Sequence, residues 1–242
     1  MRMSGNTIRE AGEERLRTIV SRRMASCDGL RSHCERCLAT GRWGGNVVLM
    51  VVDAAFMSIG LNYFTSVVPA VARYEALMRE NRVPAGLSGL SGLSYNDVAS
   101  LWKNRRSWQM AIDVAACLTR PDEDDATALR SWAAHSSLDD WHRDPVGAVN
   151  GVGINTYQYL RMMGGMDTSM PDKIVRRVIA EVVAEAEVPL PTEGDRELIE
   201  TIAHIAKSTG YRPIELCWMT WMVQSEGKIV RMEKYRELLK RI

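Results

Sequence analysis

No charge of either sign dominates this sequence. Lys and Arg total 31 against 30 Asp and Glu, for a net charge of +1. The chain as a whole is therefore not the strongly basic kind that announces a polyanionic partner, although a local basic face remains compatible with nucleic acid. Long apolar runs are missing as well. The longest, NVVLMVVDAAFMSIG at 46–60, contains Asp53 and is too short to span a bilayer, which predicts a buried helix and no membrane partner. The N-terminus shows no basic segment followed by an apolar one, so no secretory signal and a cytoplasmic location are expected. Cysteine is sparse and odd in number, at five, which argues for free thiols rather than a disulfide framework. The four histidines (His33, His135, His142 and His204) are scattered, with no H-E-x-x-H or similar metal pattern. Alternating apolar and polar residues are also absent: the Val-Val and Ile-Val pairs fall inside helical periodicity, so no strand is expected.

What is present is helical patterning almost throughout, in a chain of 242 residues that is 46% hydrophobic and 25% charged, enough for one large domain or two small lobes. The fold class predicted is all-α, with about ten helices. An early segment carries an apolar stripe at Ile8, Leu16, Ile19 and Val20. Another helix contains Pro69 near its first turn, and GLSGLSGLS at 86–94 reads as a Gly/Ser loop. Ser94 opens an S-x-x-D helix start, and Gly164-Gly165 closes a helix running from Ile154 to Met163. Ser169-Met170-Pro171-Asp172 begins another, to about residue 186. Three more helices follow, at roughly 195–208, 212–224 and 229–242.

The segment DPVGAVNGVGINTYQYLRMMG at 144–164 carries the sharpest chemical signal. It reads as two short helices, the first from Asp144 through Val149, joined by Asn150-Gly151-Val152-Gly153. The glycines permit positive φ and leave backbone N–H groups uncovered by side chains. Together with the following helix N-terminus they form an anion site suited to a phosphate, one that grips a backbone without reading sequence. Val152 is expected to point inward and lock the two helices.

This stretch resembles the helix-hairpin-helix DNA glycosylases, the superfamily that includes endonuclease III. Val149, Asn150, Gly151, Val152, Gly153, Ile154, Asn155, Thr156 and Tyr157 follow its local pattern, and Asp172 in MPDKIVRRV stands where the family has an aspartate at a helix start. Residues 93–118 and 55–71 resemble, more weakly, the helix pair before the hairpin and the helix and turn that carry the strand-separating wedge. The resemblance covers about 55–180.

The resemblance implies a two-lobed helical fold with a cleft. Residues 1–55 would pack with 169–242 as one lobe, and 56–168 would form the other, ending in the hairpin at 144–164. It implies a monomeric, monofunctional base-excision enzyme on double-stranded DNA. Gly151, Val152, Gly153, Asn155, Thr156, Lys173, Arg176 and Asn62 would contact DNA, with Arg177, Lys103, Arg105 and Arg106 flanking it. Asp172 would stabilise the positive charge that builds on the sugar as the base leaves. A flipped base would need an apolar or aromatic slot, for which Tyr63, Phe64, Tyr157, Trp218 and Trp221 are candidates. No organic cofactor is implied, only a monovalent cation at the hairpin when DNA is bound. Two departures matter. Bifunctional members have a lysine at the position of Asn155, so the Schiff-base route to strand cleavage is not expected. The alanine after the threonine is replaced by the bulkier Tyr157.

Bland readings accompany these assignments. Ser169-x-x-Asp172 is a capping-box-like pattern, the basic residues suit a solvated face, Asn62 suits a helix cap, and each aromatic suits a core. Cys27, Cys34 and Cys37 have a spacing that echoes three ligands of an iron–sulfur loop, but the fourth ligand falls on Trp43. With His33 they make a zinc alternative to buried thiols on a helix. A non-catalytic DNA-binding protein, or a helical protein whose GVG turn is only structural, are the competing functions.

Overall fold

The computed structural model describes the backbone from residue 5 to 242 and side chains from residue 11 onward. The chain is predominantly helical. Helices α1 (Gly5–Ala25), α2 (Leu30–Leu38), α3 (Val47–Met57), α4 (Val68–Arg79), α5 (Leu87–Ser91) and α6 (Tyr95–Val98) come first. They are followed by α7 (Arg105–Leu118), α8 (Asp125–His135), α9 (Ile154–Met163), α10 (Lys173–Glu185), α11 (Asp195–Thr209) and α12 (Pro213–Met222). A two-stranded antiparallel hairpin, β1 (Ser225–Glu226) and β2 (Ile229–Val230), leads into the short helices α13 (Arg231–Lys234) and α14 (Arg236–Arg241). No helix among the described residues is long and apolar enough to cross a membrane.

The chain divides into two compact units, 1–35 with 167–240, and 36–166 with 241–242. In the first, α1 packs on α10 and α11, and α12 packs on both of those. Leu16, Ile19 and Val20 of α1 are buried as the stripe predicts, joined by Val178, Val182, Ile202 and Leu216. The side chain of Ile8 lies outside the described residues. Asp172 itself caps α10, and Glu197 and Glu215 accept from the N–H groups of Gly194 and Arg212 to start α11 and α12. The single helix expected over 229–242 is replaced by the β1–β2 hairpin and two short helices. Gly227 turns the chain at φ +68°, and the Arg231 N–H bonds the Gln224 carbonyl at 2.8 Å.

In the second unit α3 is the central rod. Residues 47–56 are all buried, and α3 packs on α4, α7 and α9. This moves the boundary: residues 36–55, assigned from the sequence to the lobe of the N-terminal helices, belong with the middle of the chain. Phe56 of α3 stacks on Trp102 with ring centroids 4.5 Å apart and meets Trp108 edge-on at 4.8 Å. The Gly/Ser segment is not all loop, because α5 forms within it. Leu87 and Leu90 are fully buried, the Leu87 N–H bonds the Asp125 carboxylate at 2.9 Å, and Pro84 packs so tightly on Gly89 that a Cβ there would lie 2.5 Å from the proline ring.

Candidate nucleic-acid interface and carboxylate site

The first half of the hairpin is shorter than its sequence suggests. From Asp144 to Val149 the chain makes one helical turn, closed by the Ala148 N–H on the Asp144 carbonyl at 2.8 Å, and is not a helix. Pro145 and Gly147 are poor helix formers, and Gly147 passes so near the Trp141 carbonyl that a Cβ would lie 1.7 Å from its oxygen. Side chains hold the turn instead. Asp144 accepts the Val146 N–H at 2.9 Å and the Trp132 indole N–H at 3.0 Å. Tyr157 lies against Trp132 and Trp141, with its hydroxyl on the Ser137 carbonyl at 3.3 Å; burial pushes its phenol up to about 12. Tyr157 therefore braces the hairpin from beneath and is fully buried rather than lining a slot.

At the turn, Gly151 adopts φ +96° and the Val152 N–H bonds the Val149 carbonyl at 3.0 Å. Val152 is buried, as expected of a lock between the two halves. Gly153 is exposed and extended, and it begins α9 with no side-chain cap, so that cap leaves the first N–H groups of the helix open. Arg106 of α7 lies beside this turn. A Cβ on Gly151 would fall 3.1 Å from its Nε and 2.9 Å from the Met110 methyl, so glycine is required for both conformation and space. Arg106 is exposed and forms no ion pair among the described residues. Lys103 and Arg105 are exposed on the same stretch, with Arg105 over the Tyr95 ring at 5.7 Å.

Thr156 is buried, so its side chain does not offer the DNA contact expected of it. The Oδ1 of Asn155 is shielded from solvent and has no hydrogen-bond partner among the described residues. Among the described residues the carbonyls of Asn150, Gly151 and Val152 accept no backbone hydrogen bond. Neutral oxygens of this kind are the ligand type that a hard cation takes. Such an ion would supply positive charge facing a phosphate.

A second polar constellation in this unit has no counterpart in the sequence reading. Asp53, completely buried in α3, gathers four donors on one oxygen. They are Arg42 at 3.2 Å, the Trp43 indole at 2.9 Å, and the hydroxyls of Tyr63 and Tyr159 at 3.0 Å each. Arg42 also bonds the Tyr63 hydroxyl and is itself fully buried. Burial pushes both phenols well above their ordinary range, so they act as neutral donors. Tyr63, expected in a base slot, is thus a strut of the core, and Phe64 is buried beside it with centroids 5.1 Å apart. Asn62 spends its side-chain oxygen capping the π turn at Tyr63–Val67 by accepting the Thr65 N–H at 3.0 Å. Leu61, two residues before this turn, is a large apolar side chain left 47% exposed.

In the other unit, Asp172 is held from both sides. Its Oδ1 accepts the N–H groups of Ile174 at 2.6 Å and Val175 at 2.9 Å, and its Oδ2 accepts the Trp221 indole N–H at 2.7 Å. Burial raises its pKa above the ordinary aspartate value, and the two backbone donors, Trp221 and the Arg231 charge oppose the rise. Trp221 therefore works as the carboxylate's hydrogen-bond donor. Trp218 is core, edge-on to His33 at 4.6 Å. Of the cations placed near Asp172, Lys173 is exposed, whereas Arg176 is committed to the Thr192 and Glu193 carbonyls and to Asp195, and Arg177 to Gln224. Arg176 is corrected from a DNA contact to a clamp between α10 and the start of α11.

The side chains of the zinc alternative have separate partners. Among the described residues no group of three or more His, Cys, Asp or Glu side chains could hold a metal. Cys27 is buried beside Ser26, Cys34 points at the Ile214 carbonyl, Cys37 lies against Arg42, and His33 meets the Leu239 carbonyl. Trp43, where a fourth iron–sulfur ligand would fall, is one of the Asp53 donors. The chain matches no known protein family, no curated protein and no solved structure.

Proposed function

We propose that this chain is a monofunctional DNA glycosylase that flips a damaged or mismatched base from double-stranded DNA, hydrolyses its N-glycosidic bond and leaves an abasic site. The observation that carries the reading is the Gly151-Val152-Gly153 turn, which opens into an uncapped helix N-terminus with the exposed Arg106 beside it. Free backbone donors at a helix start and a guanidinium are the groups that hold a phosphate. In the chemical step the N-glycosidic electron pair leaves with the base, which takes up a proton. The sugar passes through an oxocarbenium-like state that the Asp172 carboxylate stabilises, and water adds its oxygen at C1′. Asn155 carries an amide whose nitrogen lone pair is delocalised, so no Schiff base forms and no strand cleavage follows.

One observation favours a second reading, a DNA-binding protein without chemistry: both oxygens of Asp172 are already engaged by donors of its own chain, as in a purely structural cap. Salt-dependent binding to a duplex tests what the two readings share. Arg106→Gln is expected to weaken binding equally for all sequences and to reduce the slope of log K against log salt by about one. Duplex affinity that is absent, or independent of salt, contradicts both.

A further inference from the structure

The Oδ1 of Asp172 is fixed by the backbone of its own helix, but Oδ2 depends on a side chain from far along the sequence. Trp221, near the end of α12, donates to it at 2.7 Å. The indole is in turn covered by Arg231, whose guanidinium carbon stands 5.6 Å from the ring centroid. Arg231 is anchored by its Nε on Glu226 at 2.8 Å, and the other oxygen of Glu226 takes Lys234 at 2.8 Å and the Tyr235 hydroxyl at 2.6 Å.

We propose that Trp221 is a positioning residue for Asp172, held in place by the pair of Arg231 at the start of α13 and Glu226 of β1, and that this relay fixes the carboxylate's orientation and biases it toward its charged form. The proposal rests on the reading of Asp172 as the group that stabilises the sugar cation. The physical reason lies in the donor chemistry. An indole N–H and two backbone N–H groups can only donate, so all three reward the ionised carboxylate and none can accept from a protonated one. An electrostatic catalyst in a buried position needs that bias, because burial alone favours the neutral acid, which cannot stabilise a cation.

Arg231 adds charge from the same side. Its partner Glu226, lowered to about 2 by its hydrogen bonds to Lys234, Tyr235 and Arg231, stays ionised at any working pH. Arg22 and Arg23 of α1 pair with Glu185 and Glu181, and Arg177 bonds Gln224. Lys173 is exposed to solvent.

The test is a carbon-13 NMR titration of the Asp172 carboxyl in the full chain, the signal being assigned by its loss in Asp172→Asn. In Trp221→Phe its midpoint should rise by about one pH unit, and in Arg231→Gln by less in the same direction. The acid limb of the base-release profile should move with it. An unchanged midpoint in folded Trp221→Phe overturns the proposal. If that variant does not fold, an unchanged midpoint in Arg231→Gln overturns it. A midpoint that moves in a protein that releases no base from any duplex supports the relay and overturns the glycosylase reading instead.

Discussion

Asp172→Asn is expected to lower base release by about a hundred- to a thousandfold while leaving duplex affinity and thermal stability close to those of the parent. The magnitude is that of removing one preorganised electrostatic partner from a transition state. Asparagine is as good an N-cap as aspartate, so the variant keeps a side-chain acceptor for the Ile174 and Val175 N–H groups; it removes the charge and, by setting an amide NH2 against the Trp221 indole N–H, that one hydrogen bond. Asp172→Ala separates the two roles from the other side, because it loses the cap as well and should cost about 1 kcal/mol of stability in addition to activity. The sign of the pH dependence follows from burial. The folded-state pKa of Asp172 is raised, so its contribution favours the fold below the unfolded value and is lost as pH rises through the folded one. Asp172→Asn should therefore be relatively more stable than the parent on the alkaline side of that transition. Parallel urea melts on either side of it and single-turnover base release make the comparison. Retained base release with a loss of stability would assign Asp172 to the helix cap alone.

The largest loss of stability is expected at Asp53. Asp53→Ala leaves the guanidinium of Arg42 buried without its carboxylate and orphans the donors of Trp43, Tyr63 and Tyr159. Breaking a buried ion pair from one side typically costs about 3–5 kcal/mol. Arg42→Ala should cost a similar amount, and the double variant less than the sum, because neither charge is then stranded. Equilibrium unfolding in urea gives all three values. A cost for Asp53→Ala below about 1 kcal/mol would mean that the network does not hold α3 to the Arg42–Gly45 turn and to α9. Four donors on one oxygen also fix the rotation of α9 about its axis through Tyr159, which lies on the same helix as the hairpin's uncapped N-terminus. Some loss of DNA affinity should therefore accompany the loss of stability.

What the sequence made legible was local. The start of α9 after Gly153, its end at Gly164, the cap at Asp172 and the inward-facing Val152 all follow from residues within a turn or two of one another. What escaped was assembled over distance. Arg42, Asp53, Tyr63 and Tyr159 carry no shared spacing, and Asp53 inside an apolar run reads only as an interruption of it. The Trp221 donor lies 49 residues from its carboxylate. The sequence shows Tyr63 and Tyr157 as rings, whereas their hydroxyl partners decide where they stay, and those partners come from other elements. Arg176 was one basic residue among several until the Thr192 and Glu193 carbonyls claimed it. The N-terminal boundary moved for the same reason: the apolar run at 46–60 fits any core, and only packing on α7 and α9 assigns it to one.

The central claim, removal of a base by water without cleavage of the strand, is tested most directly on a panel of end-labelled duplexes. Each carries one lesion: uracil, a thymine mismatch, 8-oxoguanine, an alkylated purine, or adenine opposite oxoguanine. Each is incubated with the protein and analysed with and without hot alkali. The account predicts, on at least one duplex, a cleavage product that appears only after alkali and disappears with Asp172→Asn. Cleavage without alkali would contradict the role given to Asn155, and no product from any duplex under either treatment would contradict the enzyme itself.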